Sequence, residues 1–191
     1  MMTDTFLFDF IGVLLFPKEK YMTSRIVDEI DRLAGKVTND IVFKEKVLRE
    51  YNLIENEFNH ILVSIVDKYE PYLSLWEILP KLRKTYKLGI INNGSYLTYP
   101  LWDEKYHISS HFDVFLSSAL AGVCKPERAI YLNTSKALVS IPGNCLFMDD
   151  NEENIIDAQQ VGMQTIHWPD KKNGFQEFTT RIHVFVNTNT G

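Results

Sequence analysis

The sequence predicts an α/β fold: a doubly wound parallel sheet with a helical insertion after its first strand. Short apolar runs flanked by polar or turn residues recur along the chain, as expected for strands buried on both faces of a parallel sheet. Helical patterns alternate with the later runs. Acidic, amide and glycine-bearing segments stand at the carboxyl ends of these runs, the edge at which such sheets bind ligands.

The first strand is expected over Thr5–Phe10. From Pro17 to Tyr86 the alternation breaks, and the segment reads as three or four consecutive amphipathic helices with turn signals near Gly35–Asn39, Asn52–Asn56 and Pro71–Ser74. The last of these helices, Ser74–Tyr86, is assigned to the core as the crossover into a second strand, Leu88–Asn92. The organisation expected is therefore a core of residues 1–16 and 72–191 and an insertion of residues 17–71. Aromatic residues of the insertion, Tyr21, Phe43 and Phe58, are read as helix packing. Further strands follow at Val114–Ser117, Cys145–Met148 and Gln164–Trp168. Helices are expected at Pro126–Leu138, with proline in the first turn, and at Glu152–Val161, preceded by the capping types Asp150 and Asn151 and closed by Gly162. After Pro169 the pattern weakens, and Asn187–Gly191 reads as a frayed tail.

The 191 residues carry 20 Lys plus Arg against 25 Asp plus Glu, a formal charge of −5 that argues against nucleic-acid or anionic-membrane surfaces as partners. A hydrophobic share of 45% with 24% charged residues is that of a globular chain with a full core. Two cysteines, Cys124 and Cys145, make neither a disulfide framework nor a zinc spacing and favour a reducing compartment. The longest apolar stretch, Phe6–Phe16, is interrupted by Asp9 and falls short of the roughly 20 residues a membrane span needs. A soluble, cytoplasmic protein is expected; the oligomeric state is left open.

The strand ends deliver a convergent set of groups. The first ends in Phe8-Asp9-Phe10-Ile11-Gly12, the second in Asn92-Asn93-Gly94-Ser95, the third runs to Gly122-Val123-Cys124-Lys125-Pro126, and the fourth ends in Met148-Asp149-Asp150-Asn151. Each has an ordinary structural explanation: a buried acid, a turn dipeptide, a solvated lysine, a helix cap. Their arrival on four successive strand ends is what points to a site.

These residues also carry a resemblance. Leu146–Ala158 with Gly162-Met163, Lys125-Pro126-Glu127 with Ile130-Tyr131, and the helical insertion after the first strand together resemble the haloacid dehalogenase superfamily, mostly phosphatases that use an aspartate nucleophile. The resemblance implies a Rossmann-like core with the first class of helical cap. It implies Asp9 as nucleophile, Lys125 as the lysine joining nucleophile and phosphoryl group, and Asp149 and Asp150 as the acidic pair for Mg²⁺. Asn92 falls where the family usually has Ser or Thr, and its amide, with Asn93 and Gly94, is expected to bind phosphate. Ile11 occupies the position where family phosphatases carry a second aspartate as general acid and base, although its backbone carbonyl is still available to the metal.

The expected function is a Mg²⁺-dependent phosphatase of a small phosphorylated metabolite, acting through an aspartyl-phosphate, with activity reduced by Ile11. A positioned acid contributes about 10²- to 10⁴-fold. A good leaving group, or an acid from the insertion such as His60, Glu55 or Glu57, would compensate for its loss, although these three read first as solvated helix residues. Two adjacent acids on a strand point to opposite faces, so Asp150 is ranked as the direct ligand and Asp149 as a partner, of Lys125 among others. A weak or silent phosphometabolite-binding protein is the alternative. A third reading, 2-haloacid dehalogenation, is opposed by the Asp149-Asp150 pair, which sets negative charge beside a substrate carboxylate.

Overall fold

The computed structural model describes residues 3–22 and 24–188. Strand β1 (Thr5–Phe8) is buried throughout and lies at the centre of the sheet. A two-stranded antiparallel ribbon, β2 (Leu15–Pro17) and β3 (Tyr69–Pro71), brackets helices α1 (Arg25–Ala34), α2 (Asp40–Glu50) and α3 (Glu55–Asp67). Two short helices, α4 (Leu73–Trp76) and α5 (Leu79–Leu82), lead into β4 (Lys87–Asn92). Next come α6 (Tyr99–Tyr106), α7 (Ile108–His111), β5 (Val114–Ser117), α8 (Ser118–Ala121) and α9 (Arg128–Ala137). The chain closes with β6 (Cys145–Asp149), α10 (Glu152–Gln160), β7 (Gln164–His167) and α11 (Lys171–Thr188).

The main sheet has five parallel strands in the order β5-β4-β1-β6-β7. The chain leaves β1 for β4 and β5 on one side and returns to β6 and β7 on the other. The topological switch, and the crevice that accompanies it, therefore lies at the carboxyl end of β1. Alternation along β1 feeds two cores. Phe6 and Phe8 pack with Leu88, Ile90, Met148 and Phe178 of α11 on one face, while Leu7 packs with Phe147, Ile130, Tyr131 and Ile155 on the other. Phe178 meets Phe6 and Phe8 edge-on, with centroids 5.6 and 5.9 Å away.

Several expectations are corrected. The single helix expected over Ser74–Tyr86 is two short helices, because Pro80 lies in the first turn of α5 and lacks the N–H that a continuous helix needs. Pro126 precedes α9, which starts at Arg128 after the N-cap Glu127. The weak pattern after Pro169 conceals α11, whose backbone includes Asn187 and Thr188; the remainder of the expected tail, residues 189–191, lies outside the described residues. The ribbon and α6 to α8 are too short to produce a periodic signal. Cys124 and Cys145 are free thiols, and among the described residues no helix is long and apolar enough to cross a membrane.

Docking of α11 depends on Gly174, where a Cβ would lie 2.2 Å from the buried ring of Trp168. Helix propensity alone would make Gly174→Ala stabilising by about 1 kcal/mol. Overpacking reverses the sign, and a loss of about 1–3 kcal/mol in urea unfolding is expected. Unchanged or higher stability would contradict this packing.

Candidate active site

Asp9 follows the last residue of β1, and its backbone N–H donates to Met148 O at 2.8 Å, continuing the pairing with β6 by one residue. The chain then turns sharply. Leu14 and Leu15 N–H both donate to Phe10 O, and Gly12 adopts φ +106°. A Cβ at Gly12 would lie 2.6 Å from the Asp150 carboxyl, so this glycine supplies both a conformation and a space that side chains deny.

Lys125 reaches the same point from the loop between α8 and α9. Its ammonium is 2.5 Å from Asp9 Oδ1 and 2.7 Å from Asp149 Oδ2, and almost no solvent reaches it. It also lies 5.7 Å from the centroid of the Phe147 ring. The Asp149 carboxylate is wholly buried, and its second oxygen accepts from Asn151 N (2.8 Å) and Asn154 Nδ2 (3.0 Å). Asp149 is thus held from both ends beneath the site, whereas Asp150 keeps an exposed face at the site itself. β6 ends at Asp149, so Asp150 stands where the strand has opened into the loop before α10. Asn151 caps α10 by accepting from Glu153 N at 2.9 Å.

The electrostatics follow from burial. Desolvation pushes the Asp9 carboxyl up to about 8; Lys125 pulls against it, and the negative charges of Asp149 and Asp150 add to the rise. Partial burial of the Asp150 carboxylate, followed by the charge of Asp149, raises its pKa as well. Burial works against the charge on Lys125, but the carboxylates of Asp9 and Asp149 outweigh it and hold the ammonium above its usual range. Three carboxylates thus share one cation. One oxygen from each of Asp9, Asp149 and Asp150 lies within 4.8 Å of the others, a hard-oxygen set that fits a small divalent cation such as Mg²⁺.

A cavity of about 420 Å³ opens over this floor, lined by Asp9, Ile11, Asn92, Asn93, Gly94, Lys125 and Asp150 among others. The residues expected at the site are therefore together, with Asp149 just below the lining. Two of the expected phosphate-binding groups have partners already. The Asn93 amide donates to Lys125 O (2.9 Å), and its Oδ1 accepts from Lys125 N (2.7 Å). The N–H of Gly94 donates to Ser118 Oγ at 2.9 Å. Asn93 thus clamps the lysine loop through its side chain, while the Asn92 amide lies close over Gly94. Ile11 lies on the cavity lining and packs against the hydrophobic core.

The candidate acids of the insertion are elsewhere: Glu55 pairs with Lys44, Glu57 accepts from Ile54 N, and His60 does not line the cavity. Instead α1 and the end of α3 form the opposite wall through Asp28, Asp31, Arg32, Lys68 and Tyr69. Sequence reasoning passed over these residues. Asp28, Asp31, Arg32 and Gly35 have the i, i+3, i+4, i+7 spacing of one helix face, a polar stripe that looks solvated until α3 is placed against it. The insertion is fastened over the core, since Asp40 accepts from Ser95 Oγ and Tyr96 N and Ser118 Oγ donates to Val37 O.

Residues 13–168 match the family model described as haloacid dehalogenase-like hydrolase. Among curated relatives, a sesquiterpene phosphatase of Aspergillus oryzae is 39% identical over 59 residues, covering 31% of this chain and 30% of that protein, so the match spans less than a third of its length. Among solved structures, a HAD family enzyme of Bacteroides thetaiotaomicron in complex with magnesium and inorganic phosphate superposes with a TM-score of 0.67 at 17% identity, over 86% of this chain and 93% of that one. An L-2-haloacid dehalogenase from Xanthobacter autotrophicus with chloropropionic acid covalently bound gives 0.65 at 16% identity, over 87% and 77%. At these identities the two structures speak to the fold alone. The family match covers the return of the chain through β4, β5, β6 and β7, the strands that bring Lys125, Asp149 and Asp150 to Asp9, and the chain belongs to the haloacid dehalogenase-like hydrolases.

Proposed function

We propose that this hydrolase is a Mg²⁺-dependent phosphatase of a small phosphorylated metabolite, with Asp9 as its nucleophile. The observation that carries this reading is the Lys125 ammonium bridging Asp9 and Asp149 on the cavity floor, with Asp150 beside them. Phosphate monoesters are anionic and resist an anionic nucleophile unless nearby cations suppress the repulsion. Lys125 supplies one such charge. Asp9 and Asp150, with the Ile11 carbonyl, would hold a magnesium ion, which when bound neutralises further phosphoryl charge. Asp149 orients Lys125 from below.

In the first step an Asp9 oxygen attacks phosphorus, the bond to the leaving oxygen breaks, and an aspartyl-phosphate forms. The leaving oxygen takes its proton from solvent, because Ile11 has none to give. Water then attacks the same phosphorus, the bond to Asp9 breaks, and inorganic phosphate leaves with the carboxylate restored. The Asn92 amide, on the cavity lining, would donate to a phosphoryl oxygen. Asn93 acts on Lys125 rather than on phosphate. Residues 17–71 act as a cap that excludes water over the site and supplies specificity. The direct test is turnover of an aryl phosphate with and without Mg²⁺, in the parent and in Asp9→Asn. Activity that is independent of Mg²⁺, or that survives in Asp9→Asn, would refute the reading.

A phosphate-binding protein with little turnover is the second reading, favoured by an apolar residue, Ile11, on the cavity lining. Dehalogenation, in which Asp9 attacks carbon, is opposed by the Asp150 carboxylate on the cavity lining, which would face a substrate carboxylate.

Three outcomes are expected. Asp150→Ala should lower Mg²⁺ affinity in calorimetry by at least about tenfold, the scale of one lost charged ligand; unchanged affinity would remove Asp150 from the metal set. Asn93→Ala frees both backbone groups of Lys125 and should lower kcat by about 10- to 100-fold, with KM changing less, since misplacement of a reacting group acts on the chemical step. An unchanged kcat would reduce Asn93 to a loop staple. Ile11→Asp should raise turnover of alkyl phosphates more than that of aryl phosphates, by up to about 10²- to 10⁴-fold, with unfolding followed in parallel to detect the cost of a buried acid. A folded, Mg²⁺-binding variant with no gain on either class would favour the binding-protein reading.

A further inference from the structure

The wall opposite Asp9 carries a connected group that catalysis at the floor does not use. Asp31 Oδ2 accepts from Lys68 Nζ at 2.8 Å and from the Tyr69 hydroxyl at 2.7 Å, and Lys68 also donates to Asp28 Oδ1 at 2.9 Å. Asp31 and Lys68 are mostly buried, with side-chain exposures of 17% and 21%, yet both line the cavity. The other oxygen of Asp31 makes no hydrogen bond among the described residues. Arg32 lies one position along the same helix face and makes no ion pair among the described residues. Tyr69 and Trp102, with ring centroids 6.0 Å apart, also border the cavity but are almost wholly buried in the core. Burial, with the charge of Asp31, raises the Tyr69 phenol above its usual range, so it stays a donor that fixes Asp31.

This wall is charge-compensated, with Asp28 and Asp31 set against Lys68 and Arg32. A second anionic group on the substrate would meet two carboxylates and a Lys68 ammonium already paired with both, which leaves Arg32 alone to receive it. An apolar tail would strip water from a partly buried ion pair and offer nothing in exchange. Hydroxyl groups both donate to a carboxylate oxygen and accept from an ammonium or guanidinium. The cavity, at about 420 Å³, lies in the lower part of the range for small-molecule sites.

We infer that Asp31 and Lys68, held by Tyr69, form a hydroxyl-reading subsite, so that the phosphate ester processed here is that of a small polyol or sugar. The inference rests on the proposal that a phosphoryl group occupies the floor of the same cavity, and it concerns only the far end of that ligand.

The test uses two phosphonates, which cannot be hydrolysed and so report binding whether or not the protein turns over. Calorimetry in Mg²⁺ compares the isosteric phosphonate of a hexose phosphate with hexylphosphonate. The sugar analogue should bind at least about tenfold more tightly, as expected where buried charged groups are left unpaired by a ligand lacking hydroxyls. Asp31→Asn and Lys68→Gln should each bring the ratio toward one. Should Lys68→Gln fail to fold by circular dichroism, Asp31→Asn and Tyr69→Phe, which keep the side-chain shapes, carry the comparison. A ratio at or below one, a ratio unchanged in the folded variants, or failure of both analogues to bind overturns the subsite. Aryl phosphate turnover by the parent protein, measured alongside, separates the two claims. Sugar selectivity without turnover defeats the phosphatase reading and leaves the subsite standing, whereas turnover without selectivity does the reverse.

Discussion

A buried ammonium between two buried carboxylates is the constraint on which the rest of this structure depends. Lys125 meets Asp9 and Asp149 where water barely reaches, and removing one partner from such a set leaves an uncompensated charge at a cost of about 3–5 kcal/mol. The set forms only if β1 and β6 are adjacent and parallel, so that Asp9 and Asp149 end at one edge, and only if the loop after α8 returns to that edge. Asn93 fixes that return by gripping the backbone of Lys125 on both sides, and Asn154 and Asn151 grip Asp149. The amides at the strand ends therefore serve largely to hold charges in place.

The arrangement leaves an excess of negative charge. One lysine faces three carboxylates, and burial first, then the charges of Asp149 and Asp150, raise the pKa of Asp9 against the pull of Lys125. A divalent cation would remove it and leave Asp9 ionised as a nucleophile. In the proposed function, nucleophile and cation therefore draw on the same residues. The cavity above has a different character: its far wall is compensated within itself, and ties from Asp40 to Ser95 and Tyr96 hold it over the floor.

Much of this was legible in the sequence because it depends on local patterns. The five strands are short apolar runs, and Asp9, Lys125, Asp149 and Asp150 stand at strand ends or in loops whose geometry the sheet dictates. The difference between Asp149 and Asp150 follows from the end of the strand: β6 stops at Asp149, and Asp150 stands in the loop that follows. What escaped depends on tertiary partners. Asn93 reads as a turn residue until Lys125 is placed beside it, and Asp31 and Lys68 carry no signal until α1 is packed against the end of α3. The C-terminal helix escaped because its apolar contacts, Phe178 against Phe6 and Phe8, are spaced among polar residues and a glycine. The broken crossover at Pro80 was available from the sequence and was overridden by its amphipathic pattern.

The central claim, that Asp9 attacks phosphorus, is tested most directly by trapping what it would become. Acid quenching during turnover of an aryl phosphate, followed by peptide mass spectrometry, should find a phosphoryl adduct on Asp9 that disappears on longer incubation and is absent from Asp9→Asn. Turnover with no adduct on Asp9, or with the adduct on another residue, would contradict the account.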